Sequence, residues 1–132
     1  MRHLLFVSIY IFVCYNSDMA DIDIFDKNCP TRFSLSVISG KWGMLIILAL
    51  SRESLRFSEI VRTVGGISER MASQTLRYLE RDGVVRRSVV QHAKPPQVYY
   101  RLTSLGRAFV TPLSDLVRIA NDHVDELVYR RE

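Results

Sequence analysis

Apolar residues recur along this chain at spacings that change from segment to segment. Leu4 to Tyr15 is an almost unbroken apolar run behind Met1, Arg2 and His3. From Thr31 to Ser39 the apolar positions are Phe33, Leu35, Val37 and Ile38. Pro30 precedes them at a first helical position, with Cys29 as the cap and Gly40 as the stop, which is how a helix is bounded. Trp42 to Leu50, rich in Leu, Ile and Met, predicts a buried helix, and Arg52 to Arg56 a turn or short strand. Phe57, Ile60, Val61 and Val64 share one face of a short helix over Phe57–Val64, which Gly65 and Gly66 end. Ser68 caps the next helix, which runs to about Arg81, and Asp82-Gly83 stops it.

The period then shortens to two. Val84 to Gln91 and Val98 to Leu102 are β-rich runs flanking a basic, proline-containing tip, His92 to Gln97, and together predict a hairpin. Thr103 caps a last long helix, about Ser104 to Tyr129. Its apolar positions Phe109, Leu113, Leu116, Val117, Ala120, Val124, Leu127 and Val128 follow helical spacing, and Pro112 should kink its first part. The predicted class is mainly α with a small β-hairpin wing, an α+β fold.

Composition narrows the class without changing it. The chain has 132 residues, 48% apolar and 24% charged, which fits one globular domain and excludes a disordered or collagen-like chain. Its two cysteines, Cys14 and Cys29, cannot make a stapled framework and point to a reducing compartment. His3, His92 and His123 lie far apart, so no metal is expected. No carboxylate pair, Ser-His-Asp set or phosphate-binding glycine loop appears, so neither catalysis nor a cofactor is expected. Charge adds a partner. Lys41 to Arg107 holds 12 basic and 5 acidic residues, a net +7, whereas the two ends are mildly acidic. A basic middle in which arginine dominates suits a polyanion.

The first eighteen residues stand apart from residues 19–132. The run from Leu4 to Tyr15 has the order of a signal peptide but a poor cleavage side. It is too short for a spanning helix, which needs about 20 residues. Three readings stay open: a signal or anchor, an apolar tail packed on the domain, or a mis-assigned start with translation beginning at Met19. The last is preferred, because the remainder reads as a cytoplasmic domain.

A short helix, a glycine turn, a second helix and a β-hairpin make a winged helix-turn-helix. At about 100° per residue, Arg70, Ser73, Gln74, Arg77 and Arg81 share one side of the second helix. Ala72, Thr75, Leu76 and Leu79 share the other. The first group carries side chains that bond base edges, and the second is small and apolar and packs inward. An ordinary amphipathic helix would show the same face, so the glycine turn and the basic hairpin supply the weight for double-stranded DNA as partner. Lys41, Arg81, Arg86, Arg87, Lys94 and Arg101 are candidates for phosphate or minor-groove contact. Because a strand alternates its faces, Arg86 and Arg87 cannot both point the same way.

Several landmarks stand in a recognisable order: Asn28-Cys29-Pro30, Ser39-Gly40-Lys41-Trp42, Leu55-Arg56-Phe57-Ser58-Glu59-Ile60, Leu76 to Val85, and Pro95-Pro96-Gln97-Val98-Tyr99-Tyr100 with Leu102-Thr103 and Gly106. The chain resembles the HxlR family, bacterial winged helix-turn-helix transcriptional regulators related to the MarR group, over about residues 28 to 125. The resemblance implies a homodimer on pseudo-palindromic operator DNA. The family commonly has an acidic residue where this chain has Tyr99, which bears on a wing contact, and residues 1–18 have no place in the family pattern.

In such a homodimer the terminal helices would pair and bury Leu113, Leu116, Val117, Ala120, Val124 and Leu127. The alternative is that this stripe packs only on its own domain. Backbone donors and the helix dipole beside Cys29 favour a thiolate, which would react with an oxidant or a small electrophile. Some HxlR-type regulators use a cysteine at the matching position in this way. The opposite reading is an inert, apolar cap. The rival function is a membrane-tethered or exported interaction domain that uses the N-terminal run; membrane attachment is not expected.

Overall fold

The structure is a computed structural model and describes residues 23–129. The apolar run Leu4 to Tyr15, Cys14 and the expected boundary at residue 18 lie outside the described residues. The chain divides into two units, one ending at Ser36 and one beginning at Val37.

The first unit is short and locally held. Asp23 Oδ1 accepts from the Phe25 N–H at 2.9 Å, and Asp26 Oδ1 accepts from the Asn28 N–H at 2.9 Å. These are turns an aspartate closes on its own backbone. The Cys29 N–H donates to the Asp26 carbonyl at 3.0 Å. Helix α1 (Pro30–Ile38) starts immediately after, with Pro30 first as expected.

The second unit holds the core. Its elements are α2 (Lys41–Leu50), β1 (Leu55–Arg56), α3 (Phe57–Val64), α4 (Glu69–Arg81), β2 (Val85–Val90), β3 (Gln97–Leu102), α5 (Ser104–Ala108), α6 (Val110–Asp122) and α7 (Val124–Tyr129). Ile46, Ile47 and Leu50 of α2 meet Ile60 of α3, Ala72, Leu76 and Leu79 of α4, and Val84, Val85 and Leu102 around the hairpin. Each such large aliphatic side chain contributes about 1.5–3 kcal/mol on burial. Thr75 is the buried polar member, and its hydroxyl donates to the Met71 carbonyl at 2.8 Å.

Between α3 and α4 the chain must reverse tightly. Gly65 and Gly66 do this with φ of 65° and 71°, a region other residues enter at a cost. The Ser68 hydroxyl then accepts from the Met71 N–H at 3.1 Å and starts α4. A third strand joins the hairpin, from the segment expected as a turn or short strand. Arg52 to Arg56 yields a two-residue strand, and the sheet runs β1-β3-β2, antiparallel throughout. Gly106 sets α5 against the sheet, because a Cβ there would fall 2.2 Å from the Val84 carbonyl oxygen.

The single helix expected over Ser104–Tyr129 is instead three, broken at Phe109 and His123. Pro112 does not kink a continuous helix. It sits in the first turn of α6, where its missing N–H costs nothing. Its ring excludes the carbonyl four residues back, that of Ala108, and Ala108 is where α5 ends. The break is thus displaced one turn upstream of the proline. No proline or glycine accompanies the break at His123.

Candidate nucleic-acid interface

Helix α4 is fixed from beneath. Ala72, Leu76 and Leu79 are essentially inaccessible, so the opposite face cannot rotate inward. That face exposes Arg70, Gln74, Arg77 and Arg81, with Ser73 half-buried at its margin. Arg70, Gln74, Arg77 and Tyr78 line one shallow depression of about 290 Å³. Gln74 Nε2 donates to the Tyr78 hydroxyl at 3.4 Å, and the Arg81 guanidinium lies 5.1 Å from the Tyr78 ring centre. Arg81 Nε also lies 3.3 Å from Asp82 Oδ1. Tyr78 was absent from the sequence-based set. Its place four residues after Gln74 was the available signal, since such pairs touch on a helix surface.

The wing carries its cations on two faces. The register pairs Arg86 with Arg101 and Arg87 with Tyr100. Directly opposed residues share a face, so Arg86 and Arg101 stand on the outer side. Arg87 stands on the side that also carries Val85 and Leu102. Lys94 is exposed in the six-residue loop between β2 and β3. Lys41 opens α2, with Nζ 4.4 Å from the Trp42 ring centre. Tyr99, the departure from the family pattern, is engaged on the outer face. Arg56 Nε donates to its hydroxyl at 3.3 Å and the guanidinium lies 5.5 Å from its ring centre. The hydroxyl in turn donates to Gln97 Oε1 at 2.9 Å. Arg107 was also missed. It lines a cavity with Arg86 and Arg101, an association that needs the hairpin register and the turn into α5, neither of which local sequence reveals.

The terminal stripe divides. Leu113 is 6% exposed and belongs to the chain's own core, so its expected place on a free pairing face is corrected: α6 starts against α2 and must cover it. Leu116, Val117, Val124 and Leu127 are 42–51% exposed, Ala120 is exposed too, and Ile119 and Val128 join them. Cys29 is a free, half-buried thiol in the N-terminal unit. Among the described residues no group of three metal-ligating side chains converges, and no single helix is long and apolar enough to cross a membrane.

A glycine-turned helix pair, a three-stranded wing and an outward arginine-glutamine face define a winged helix-turn-helix transcriptional regulator. Comparison with known proteins makes the assignment particular. Residues 37–127 match the HxlR-like helix-turn-helix family, and the chain belongs to it. It is 36% identical over 110 residues to the HTH-type transcriptional regulator YtfH of Escherichia coli (strain K12), covering 81% of this chain and 86% of that one. The structure of the ytfH regulator from Salmonella typhimurium matches with a TM-score of 0.76 at 33% identity, over 84% of this chain and 98% of that one. The redox regulator HypR in its reduced form matches with a TM-score of 0.68 at 35% identity, over 76% and 98% of the two chains.

Proposed function

We propose that this regulator binds pseudo-palindromic operator DNA as a cytoplasmic homodimer, each copy placing α4 in a major groove. Arg77 and Arg70 have the fork that bonds guanine N7 and O6, Gln74 matches adenine N6 and N7, and Ser73 can serve any base. Arg81, Lys41, Arg87 and Lys94 supply phosphate or minor-groove contacts, with Arg86 and Arg101 at the base of the wing. The observation that carries the reading is the split of α4: its apolar face is sealed in the core while its arginine-glutamine face is open.

Pairing of two copies is supported by the exposed apolar side chains of α6 and α7, namely Leu116, Val117, Ala120, Val124 and Leu127. Exposed apolar side chains grouped on neighbouring helices are what an interaction face needs. Two copies would present their α4 helices to successive grooves, one helical turn or a multiple apart.

The regulated input is the thiol of Cys29. A peroxide would oxidise the thiolate to a sulfenic acid and itself be reduced; a quinone or aldehyde would add to the same sulfur. Similarity to HypR, a redox regulator, supports this reading. The test is a titration of the full chain against DNA from just upstream of its own gene, with Cys29 reduced and oxidised. Tight, salt-sensitive, sequence-selective binding that weakens on oxidation is the expected result. Equal binding in both states removes the sensor and keeps the regulator. No selective binding to that DNA in either state contradicts the reading of the α4 face there.

A further inference from the structure

The outer face of the sheet gathers Arg107 with Arg86 and Arg101, two of the cations offered above for DNA contact. The register sets Arg86 directly opposite Arg101, and like charges so placed destabilise a strand pair. Arg107, entering from α5, lines the same cavity, together with Thr103 and Ser104. Among the described residues no carboxylate lines it. Among the described residues none of the three arginines forms an ion pair. The cavity measures about 280 Å³, at the foot of the range for small-molecule sites, roughly 300–1,000 Å³. It is separate from the depression on α4, with which it shares no lining residue.

We infer that Arg86, Arg101 and Arg107 form a binding site for a phosphate-type oxyanion. Three arginines that line one cavity without a counter-charge match a compact di- or trianion, because each guanidinium fork can give two parallel N–H bonds to neighbouring oxygens. The Ser104 hydroxyl adds a neutral donor. The Thr103 hydroxyl is already committed, donating to the Gly83 carbonyl and accepting from the Gly106 N–H. Occupation converts the Arg86–Arg101 repulsion into shared attraction to one ligand, so binding stiffens the wing where β2 and β3 leave the core. The chemistry has two sources, a free phosphorylated small molecule or a backbone phosphate of DNA. The site does not depend on the assignment of α4 to the major groove.

The full chain, Arg101→Gln and Arg52→Gln are melted in increasing inorganic pyrophosphate, with sodium chloride at matched ionic strength as reference. Arg52→Gln removes the same charge from the exposed loop before β1. The parent chain should show a saturable rise in melting midpoint beyond the chloride effect, and Arg52→Gln should match it in apparent affinity. Arg101→Gln should melt higher than the parent chain without pyrophosphate, because the repulsion is gone, and lower at saturation. Its apparent affinity should fall roughly tenfold, as expected for loss of charge-assisted hydrogen bonds. Repeating the titration on protein saturated with a random-sequence duplex separates the sources. Persistence of the pyrophosphate response identifies a site for a free phosphorylated small molecule; its loss returns these arginines to the DNA contacts already proposed and overturns a separate site. The inference is overturned if chloride reproduces the rise, if the two melting curves do not cross, or if Arg52→Gln loses as much affinity as Arg101→Gln.

Discussion

Helices α4 and α6 are each 13 residues long and each amphipathic, yet they end in opposite situations. α4 buries Ala72, Thr75, Leu76 and Leu79 and turns arginine and glutamine outward. α6 buries Leu113 and leaves Leu116, Val117 and Ile119 exposed. One helix has satisfied its apolar face within its own chain, so what remains is a polar surface suited to a polyanion. The other has apolar surface left over, which water does not favour. A helix therefore declares its partner by the face the fold leaves unburied, not by its amphipathicity.

The comparison breaks most sharply beneath α4. Leu79→Ala should cost about 2–5 kcal/mol of stability by opening a cavity in a sealed site, read by urea denaturation. The equivalent truncation Leu116→Ala on α6 should cost far less per folded chain, since that side chain is half exposed. An equal loss at both positions would erase the distinction between the two helices.

Next in size is the apolar face of α6 and α7. Leu116→Asp combined with Leu127→Asp should convert the protein to monomer in sedimentation equilibrium. Operator affinity should then fall on the order of 100-fold, because the second half-site is no longer engaged by a tethered partner. A protein that stays dimeric would place the pairing face elsewhere.

The start of α4 offers a smaller effect. Ser68→Ala removes the hydroxyl that accepts from the Met71 N–H and should cost about 0.5–2 kcal/mol, measurable as a lower urea midpoint. DNA affinity should follow only as far as α4 frays.

Much of this was legible in the chain because it is written locally. Gly65-Gly66 as a stop, Ser68 as a cap and the alternation through Val84–Leu102 each depend on residues a few positions apart. The polar face of α4 is equally local, since helical spacing alone gathers Arg70, Ser73, Gln74, Arg77 and Arg81. What was hidden depends on contacts between distant segments. For β1 the sequence offered a turn or a short strand, and only the pairing of Leu55 and Arg56 with Tyr100 and Tyr99 decides between them. The opposition of Arg86 and Arg101 needs the hairpin register, and a one-residue slip would part them. Arg107 reaches them only after the turn at Thr103. Leu113 and Leu116 look alike in the apolar stripe, and only the packing of α6 separates core from surface.

The most direct test of the outward face of α4 as the reading surface compares Arg77→Ala with Lys94→Ala. Affinity for a selected operator and for random duplex would be measured across a range of salt. Arg77→Ala should cost about 1–3 kcal/mol on the operator and relax preference at one base position. Lys94→Ala should weaken both DNAs alike and reduce the salt slope by about 1. If Arg77→Ala leaves operator affinity and sequence preference intact, the α4 face is a solvated helix surface and the account of recognition is wrong.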